Sequence, residues 1–304
     1  MSDTLLHLGL DAGDVSLKVV LYNAAEKSVE KLAQLDVPVP PLNDVSAFEN
    51  VLDAWLKENG IEELASVSLT VSSFRAIVKQ IFVPPEVADL GEYLRWYLST
   101  LVNEPVERYF IDFQQLSGSK DLGWTVLFIA LRTEWVDAVR KGFRNKKITP
   151  QIMNVDVAAL LNLIEVGDEA PQKERCIVKA DVAGVSIMWI AENDLRALRG
   201  VSTIDLVGRE QIDAYRILSR SIAEQVSLAA SEDGLKAEKI WLCGDLSADE
   251  TFFKILKGKL PEAELALLNA FPNLKMPEDE TETALLPLCV GALGAALQAA
   301  EVLK

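Results

Sequence analysis

Two aspartates constrain this chain more than any other feature of it. Asp11 closes an alternating apolar run over residues 5–10, and Asp181 closes another over residues 176–180. A short turn follows each, Ala12-Gly13-Asp14 in the first case and Val182-Ala183-Gly184 in the second. Further apolar runs then cover residues 15–22 and 185–191. Asp and Gly between two strand-like runs signal a β-hairpin. Setting Asp11 on Asp181 also sets Val15 on Val185, Ser16 on Ser186 and Leu17 on Ile187. So short a match is weak alone, but its place at the first hairpin of each half makes it a repeat of architecture.

The surrounding pattern repeats as well. Residues 31–39 read as a third strand ending at Pro40-Pro41. Residues 45–59 carry Phe48, Val51, Leu52, Trp55 and Leu56 at helical spacing and stop at Gly60, and residues 66–71 read as a strand. Residues 1–72 therefore read β-β-β-α-β. The second half gives a third strand over 194–204, a long helix over 205–231 and a buried strand over 239–243 ended by Gly244-Asp245. Helices over 249–257 and 286–302 close it. Between the halves, strands over 77–83, 109–116 and 124–131 and helices over 89–101 and 134–145 form a β-α-β-β-α module. A strand over 150–155 and an apolar helix over 156–165 follow it, and residues 167–173, with Asp168, Glu169 and Pro171, read as a linker. The fold class is α/β: a duplicated RNase H-like unit of the actin, Hsp70 and sugar-kinase kind, with a small α/β module inserted in the first half. The expected division is 1–74 with 146–170, an inserted module over 75–145, and a second half over 171–304.

Composition narrows the function. A length of 304 residues suits two α/β domains. The chain has no run of about eighteen apolar residues, and Met1-Ser2-Asp3-Thr4 opens no secretory signal, so neither a membrane span nor export is expected. Cys176, Cys243 and Cys289, scattered in apolar contexts, read as buried reduced thiols of a cytoplasmic protein. The lone histidine, His7, excludes a His-based metal cluster and argues against a Ser-His-Asp triad, and no metal ligand or catalytic residue is assigned. A net charge of −16 argues against nucleic acid and against adhesion to anionic lipid.

The paired hairpins suit phosphate. A tight turn points successive backbone N–H groups into a concave nest for an anion, and glycine lets the backbone approach closely. An Asp at the strand end suits a hydrated Mg²⁺, which takes oxygen ligands and keeps much of its water. Two such hairpins would clamp a nucleotide between the halves.

The run Leu8-Gly9-Leu10-Asp11-Ala12-Gly13-Asp14-Val15-Ser16-Leu17-Lys18-Val19-Val20 resembles the first phosphate motif of the PilM family, the actin-like proteins of type IV pilus assembly. The likeness continues in order. It takes in residues 76–85, residues 96–113 with Glu104-Pro105-Val106 and Ile111-Asp112-Phe113, and residues 148–160 with Val155-Asp156-Val157. It resumes at residues 176–200 and ends at the closing stretch from Ala284 to Gly294. FtsA and the cytoplasmic domain of the secretion protein GspL share the plan. The resemblance implies ATP and Mg²⁺ as ligands, with Asp11, Gly13, Asp14, Ser16 and Lys18 on one wall, Asp181 and Gly184 on the other, and Gly244 at the base end. Three departures weaken that site. Asp14 stands where the family has Ser or Thr and would repel phosphate, Gly184 comes one place late after Ala183, and Cys243-Gly244-Asp245 has one Gly where the family has a pair.

The resemblance further implies a scaffold in the cytoplasm. It would be recruited to the inner membrane by the cytoplasmic tail of a PilN-like single-span protein, docked where the module meets the first half, with self-association left open. Residues 286–304 hold one Lys and no aromatic, unlike a membrane-binding amphipathic helix, so no direct insertion is expected. A GspL-like role in type II secretion is the alternative. A small-molecule kinase of the same superfamily ranks behind both, since it needs intact phosphate loops. Among the aromatics of the module, Tyr93 and Trp96 lie off the expected buried side of their helix and are the candidate partner contacts.

Overall fold

The computed structural model describes residues 5–14, 16–37, 43–167, 174–192 and 194–302. The readings that fall on residues 1–4, on Val15, on Val39-Pro40-Pro41 and on 168–173 of the linker lie outside the described residues.

The first half opens with the antiparallel strands β1 (Leu6–Ala12), β2 (Ser16–Asn23) and β3 (Ser28–Asp36). The helix α1 (Val45–Glu58) crosses over, and β4 (Ser66–Val71) returns parallel to β1. Position in the sheet explains composition. β2 and β4 are buried along their length, the small hydroxyl residues Ser66, Ser68 and Thr70 of β4 included, whereas the edge strand β3 alternates between core and solvent. Asp44 caps α1 by accepting the Ala47 N–H at 3.0 Å.

The module follows as β5 (Ile77–Val83), α2 (Leu90–Leu101), β6 (Tyr109–Ser119), β7 (Gly123–Arg132) and α3 (Thr133–Gly142). Its sheet has the order β5-β7-β6. The period of two along β7 decides what each face covers. Val126, Phe128 and Ala130 pack against Leu94 and Leu98 of α2 on one face. Leu127 and Leu131 on the other join the core of the first half. The first half resumes at β8 (Ile152–Val155), which pairs in parallel with β4, and α4 (Asp156–Gly167). The first sheet thus has the order β3-β2-β1-β4-β8, with β8 an open edge.

The second half comprises β9 (Arg175–Asp181), β10 (Gly184–Ala191), β11 (Asp194–Ser202), α5 (Gln211–Glu232), β12 (Lys239–Cys243), α6 (Glu250–Lys259) and β13 (Glu264–Leu267). Its sheet order, β11-β10-β9-β12-β13, is that of the first sheet. The duplication is therefore a duplication of topology.

The chain after β13 returns to the first half. The core of the second half closes at Leu265, while Leu268, Phe271 and Leu274 pack into the first. After the short α7 (Glu280–Thr283), the closing helix α8 (Leu286–Val302) lies on β1, β2 and β4 and against α4. It is apolar on every side because sheet and helix cover it from both. A β-carbon at Gly9 would stand 1.9 Å from the Ala292 carbonyl oxygen, so glycine on β1 is what allows α8 to lie so close. Among the described residues no helix is long and apolar enough to cross a membrane.

Candidate functional site

The two Asp-ended hairpins meet across the cleft between the halves, but they are not built alike. Asp11 stands opposite Lys18, seven residues on, whereas Asp181 stands opposite Gly184, only three residues on. The second turn is shorter by four residues, so Gly184 occupies the position of Lys18. The match of Ser16 with Ser186 and of Leu17 with Ile187 is therefore out of structural register. Turn length sets hairpin register, and a short sequence match does not reveal it. Buried Ser16 accepts a hydrogen bond from the Gln34 side chain at 3.1 Å, while Ser186 meets the Ser73 hydroxyl at 3.0 Å across the cleft.

A buried charge cluster fills the centre. Lys179 Nζ lies 3.0 Å from Asp156, 3.8 Å from Asp11 and in direct contact with Asp181. Lys18 Nζ lies 2.5 Å from Asp245 Oδ1, an ion pair without hydrogen-bond alignment. Both lysines are 2 % exposed. Burial pushes the Asp11 carboxyl up to about 6 against the pull of Lys179 and Lys18. Asp181 is equally desolvated, yet Lys179, Lys18 and the Asp245 N–H, donated at 2.9 Å, hold its carboxyl below the ordinary value. The same carboxylates hold Lys179 well above the ordinary lysine value despite its burial. Gly244 has φ +88°, and a β-carbon there would lie 2.5 Å from Asp181 Oδ1, so the single glycine of this turn is required by both conformation and space.

The remaining predicted residues take their places around this cluster. Gly13 closes the first turn over Lys18, whose Nζ would be 2.6 Å from a β-carbon at that position. Asp14 is paired with Arg75, which also lies over the Trp135 ring at 5.6 Å, so its charge is offset within the protein. Gly184 lies under the Phe74 ring, 2.6 Å from where its β-carbon would be. Two ammonium groups and a ring thus stand between the two turns. Among the described residues no three carboxylate, thiol or imidazole groups are arranged to hold a metal ion.

Sequence reasoning missed Lys179, Asp156, Phe74 and Arg75. One signal was available: Lys179 is a charge inside the apolar strand Cys176-Ile177-Val178-Lys179-Ala180.

A second candidate site lies at the seam of module and first half. A groove of about 280 Å³ runs between β6 and β8, each the edge strand of its sheet. Phe110, Ile129, Val136 and Met153 give it an apolar lining, and Arg140 reaches into it with its guanidinium 5.6 Å from the Phe110 ring centre. The expected contacts Tyr93 and Trp96 are elsewhere. They pack on each other at 5.4 Å on α2, which covers the opposite face of the module sheet. Leu94 and Leu98 fix that face, and aromatic content alone does not disclose it.

Two five-stranded sheets of one strand order, joined at a cleft bordered by two Asp-ended hairpins, define an actin-like ATPase fold with a module inserted in its first half. Among solved structures, the chain is similar to a PilM-PilN type IV pilus biogenesis complex, with a TM-score of 0.78 and 19 % identity over 97 % of this chain and 98 % of that one. It is also similar to a Bacteroides thetaiotaomicron protein of actin-like ATPase fold and unknown function, with a TM-score of 0.55 and 12 % identity over 88 % and 94 %. The activator of 2-hydroxyisocaproyl-CoA dehydratase from Clostridium difficile, with bound ADPNP, gives 0.50 and 10 % over 99 % and 96 %. No family model and no curated protein matches the chain. At these identities the likeness shows the PilM-like, actin-like fold.

Proposed function

We propose that this chain is an actin-like scaffold of a type IV pilus or related inner-membrane assembly. It docks the cytoplasmic tail of a PilN-like single-span protein in the seam groove and is held at the membrane by that partner, and its nucleotide site has degenerated. The groove between β6 and β8 carries the reading. Two edge strands leave backbone N–H and C=O groups free to pair with an added extended segment, and the apolar lining supplies anchors for its side chains. The similarity to a PilM-PilN complex supports a partner of that kind.

The test is calorimetry with the N-terminal peptide of a PilN-like protein from the same gene cluster. Phe110→Ala and Met153→Glu should each weaken binding by about tenfold or more, as anchor residues do. Trp96→Ala should leave it unchanged. Equal binding by all variants, or no binding by the natural chain, overturns the docking site.

A further inference from the structure

In the cleft, the two lysines cross between the halves in opposite directions. Lys18 stands on the first sheet and pairs with Asp245 of the second half. Lys179 stands on the second sheet and reaches Asp156 and Asp11 of the first half, besides its neighbour Asp181. A buried ammonium is tolerated only where carboxylates offset its lost hydration, and removing one partner of such a pair is strongly destabilising. Here four carboxylates from both halves converge on two ammonium groups. The Ser73–Ser186 hydroxyl contact and the Phe74 ring on Gly184 join the halves at the same level. In a nucleotide-loaded fold of this topology a cation and phosphates would lie between the two hairpins. Here side chains of the protein occupy that place.

We propose that the ammonium groups of Lys18 and Lys179 take the place of a bound cation and, with their carboxylate partners from both halves, form a ligand-free clamp that holds the two halves in one arrangement. The proposal rests on the reading of the cleft as a nucleotide site that has lost its ligand. It adds a specific consequence: the scaffold is permanently assembled, and neither ATP nor a divalent cation regulates it. The positive charge in β9 then has a role that an apolar strand would otherwise exclude. The ammonium group offsets three carboxylates, Asp11, Asp156 and Asp181, that would otherwise repel one another across the cleft.

Distance measurement between spin labels tests the clamp. Labels go on cysteines introduced at exposed Glu58 of the first half and Lys236 of the second, since the three native cysteines are buried. The natural chain should give one narrow distribution, unchanged by EDTA, by Mg²⁺ or by Mg-ATP. Lys179→Met should broaden it. The double variant Lys18→Met with Asp245→Asn leaves no unpaired charge at that bridge and decides the matter if Lys179→Met does not fold; it should broaden the distribution too. A shift of the natural chain on adding Mg-ATP overturns the reading of the cleft, and the clamp with it. A natural chain indifferent to Mg-ATP whose folded variants keep the narrow distribution overturns the clamp alone.

Discussion

Replacing Asp11 by asparagine probes the charge cluster where it is most sensitive to pH. Burial lifts the Asp11 carboxyl from 3.8 to about 6; Lys179 and Lys18 pull it down, and Asp181 and Asp156 add to the rise. A carboxyl that holds its proton more tightly in the folded chain stabilises the fold fully below about 3.8 and loses that contribution as the pH climbs through about 6. A rise of roughly two units corresponds to about 3 kcal/mol. Asparagine keeps the shape and does not titrate, so the comparison cancels the pH dependence of the groups outside the cluster. The stability of the natural chain relative to Asp11→Asn should therefore fall by about 3 kcal/mol between about pH 4 and about pH 7. Urea denaturation of both proteins across that range measures it. A difference that stays flat, or that grows in favour of the natural chain with rising pH, would show that Asp11 is ionised throughout and that the cluster does not hold its charges as described.

Two further outcomes follow from the same geometry. Asp14→Ser removes the carboxylate paired with Arg75 but leaves Lys179 and Phe74 in the cleft, so calorimetry with Mg-ATP should show no binding tighter than the millimolar range. Asp249 caps α6 by accepting the Thr251 and Phe252 N–H groups at 2.8 and 3.0 Å and also takes the Tyr215 hydroxyl at 2.9 Å. Asp249→Ala should cost about 1–2 kcal/mol, read as a lower thermal midpoint.

How much of this was legible in the sequence depends on how far apart the interacting residues lie. The hairpins, the strands of both sheets apart from β13 and the capped helices α1 and α2 follow from local period and stop signals, and the resemblance adds the order of the whole. The closing helix was legible as buried, because it is apolar on every side. Which half buries it was not, since its contacts with β1 span most of the chain. β13, four residues of Glu-Leu-Ala-Leu at a sheet edge, carries a composition that suits a helix and was missed. At the cleft the aspartates were visible because turns frame them. The turn lengths that put Lys18 and Gly184 in equivalent positions were not visible, nor was the meeting of Lys179 with Asp156. Asp14 looks like a repelling charge in the sequence because its partner, Arg75, lies sixty-one residues on, beyond β2, β3, α1 and β4. Tyr93 and Trp96 do lie off the buried side of α2, but Leu94 and Leu98 set that helix on the face of the module sheet away from the seam, which no local pattern discloses.

The central claim is that the seam between β6 and β8, and not the outer helix of the module, receives the membrane protein's tail. A photo-crosslinking residue placed at Met153 in one variant and at Trp96 in another tests this most directly, with a PilN-like partner from the same gene cluster present at its natural tail. Crosslinks from position 153 to the tail and none from position 96 are predicted. Crosslinks from position 96 with none from position 153 would contradict the account.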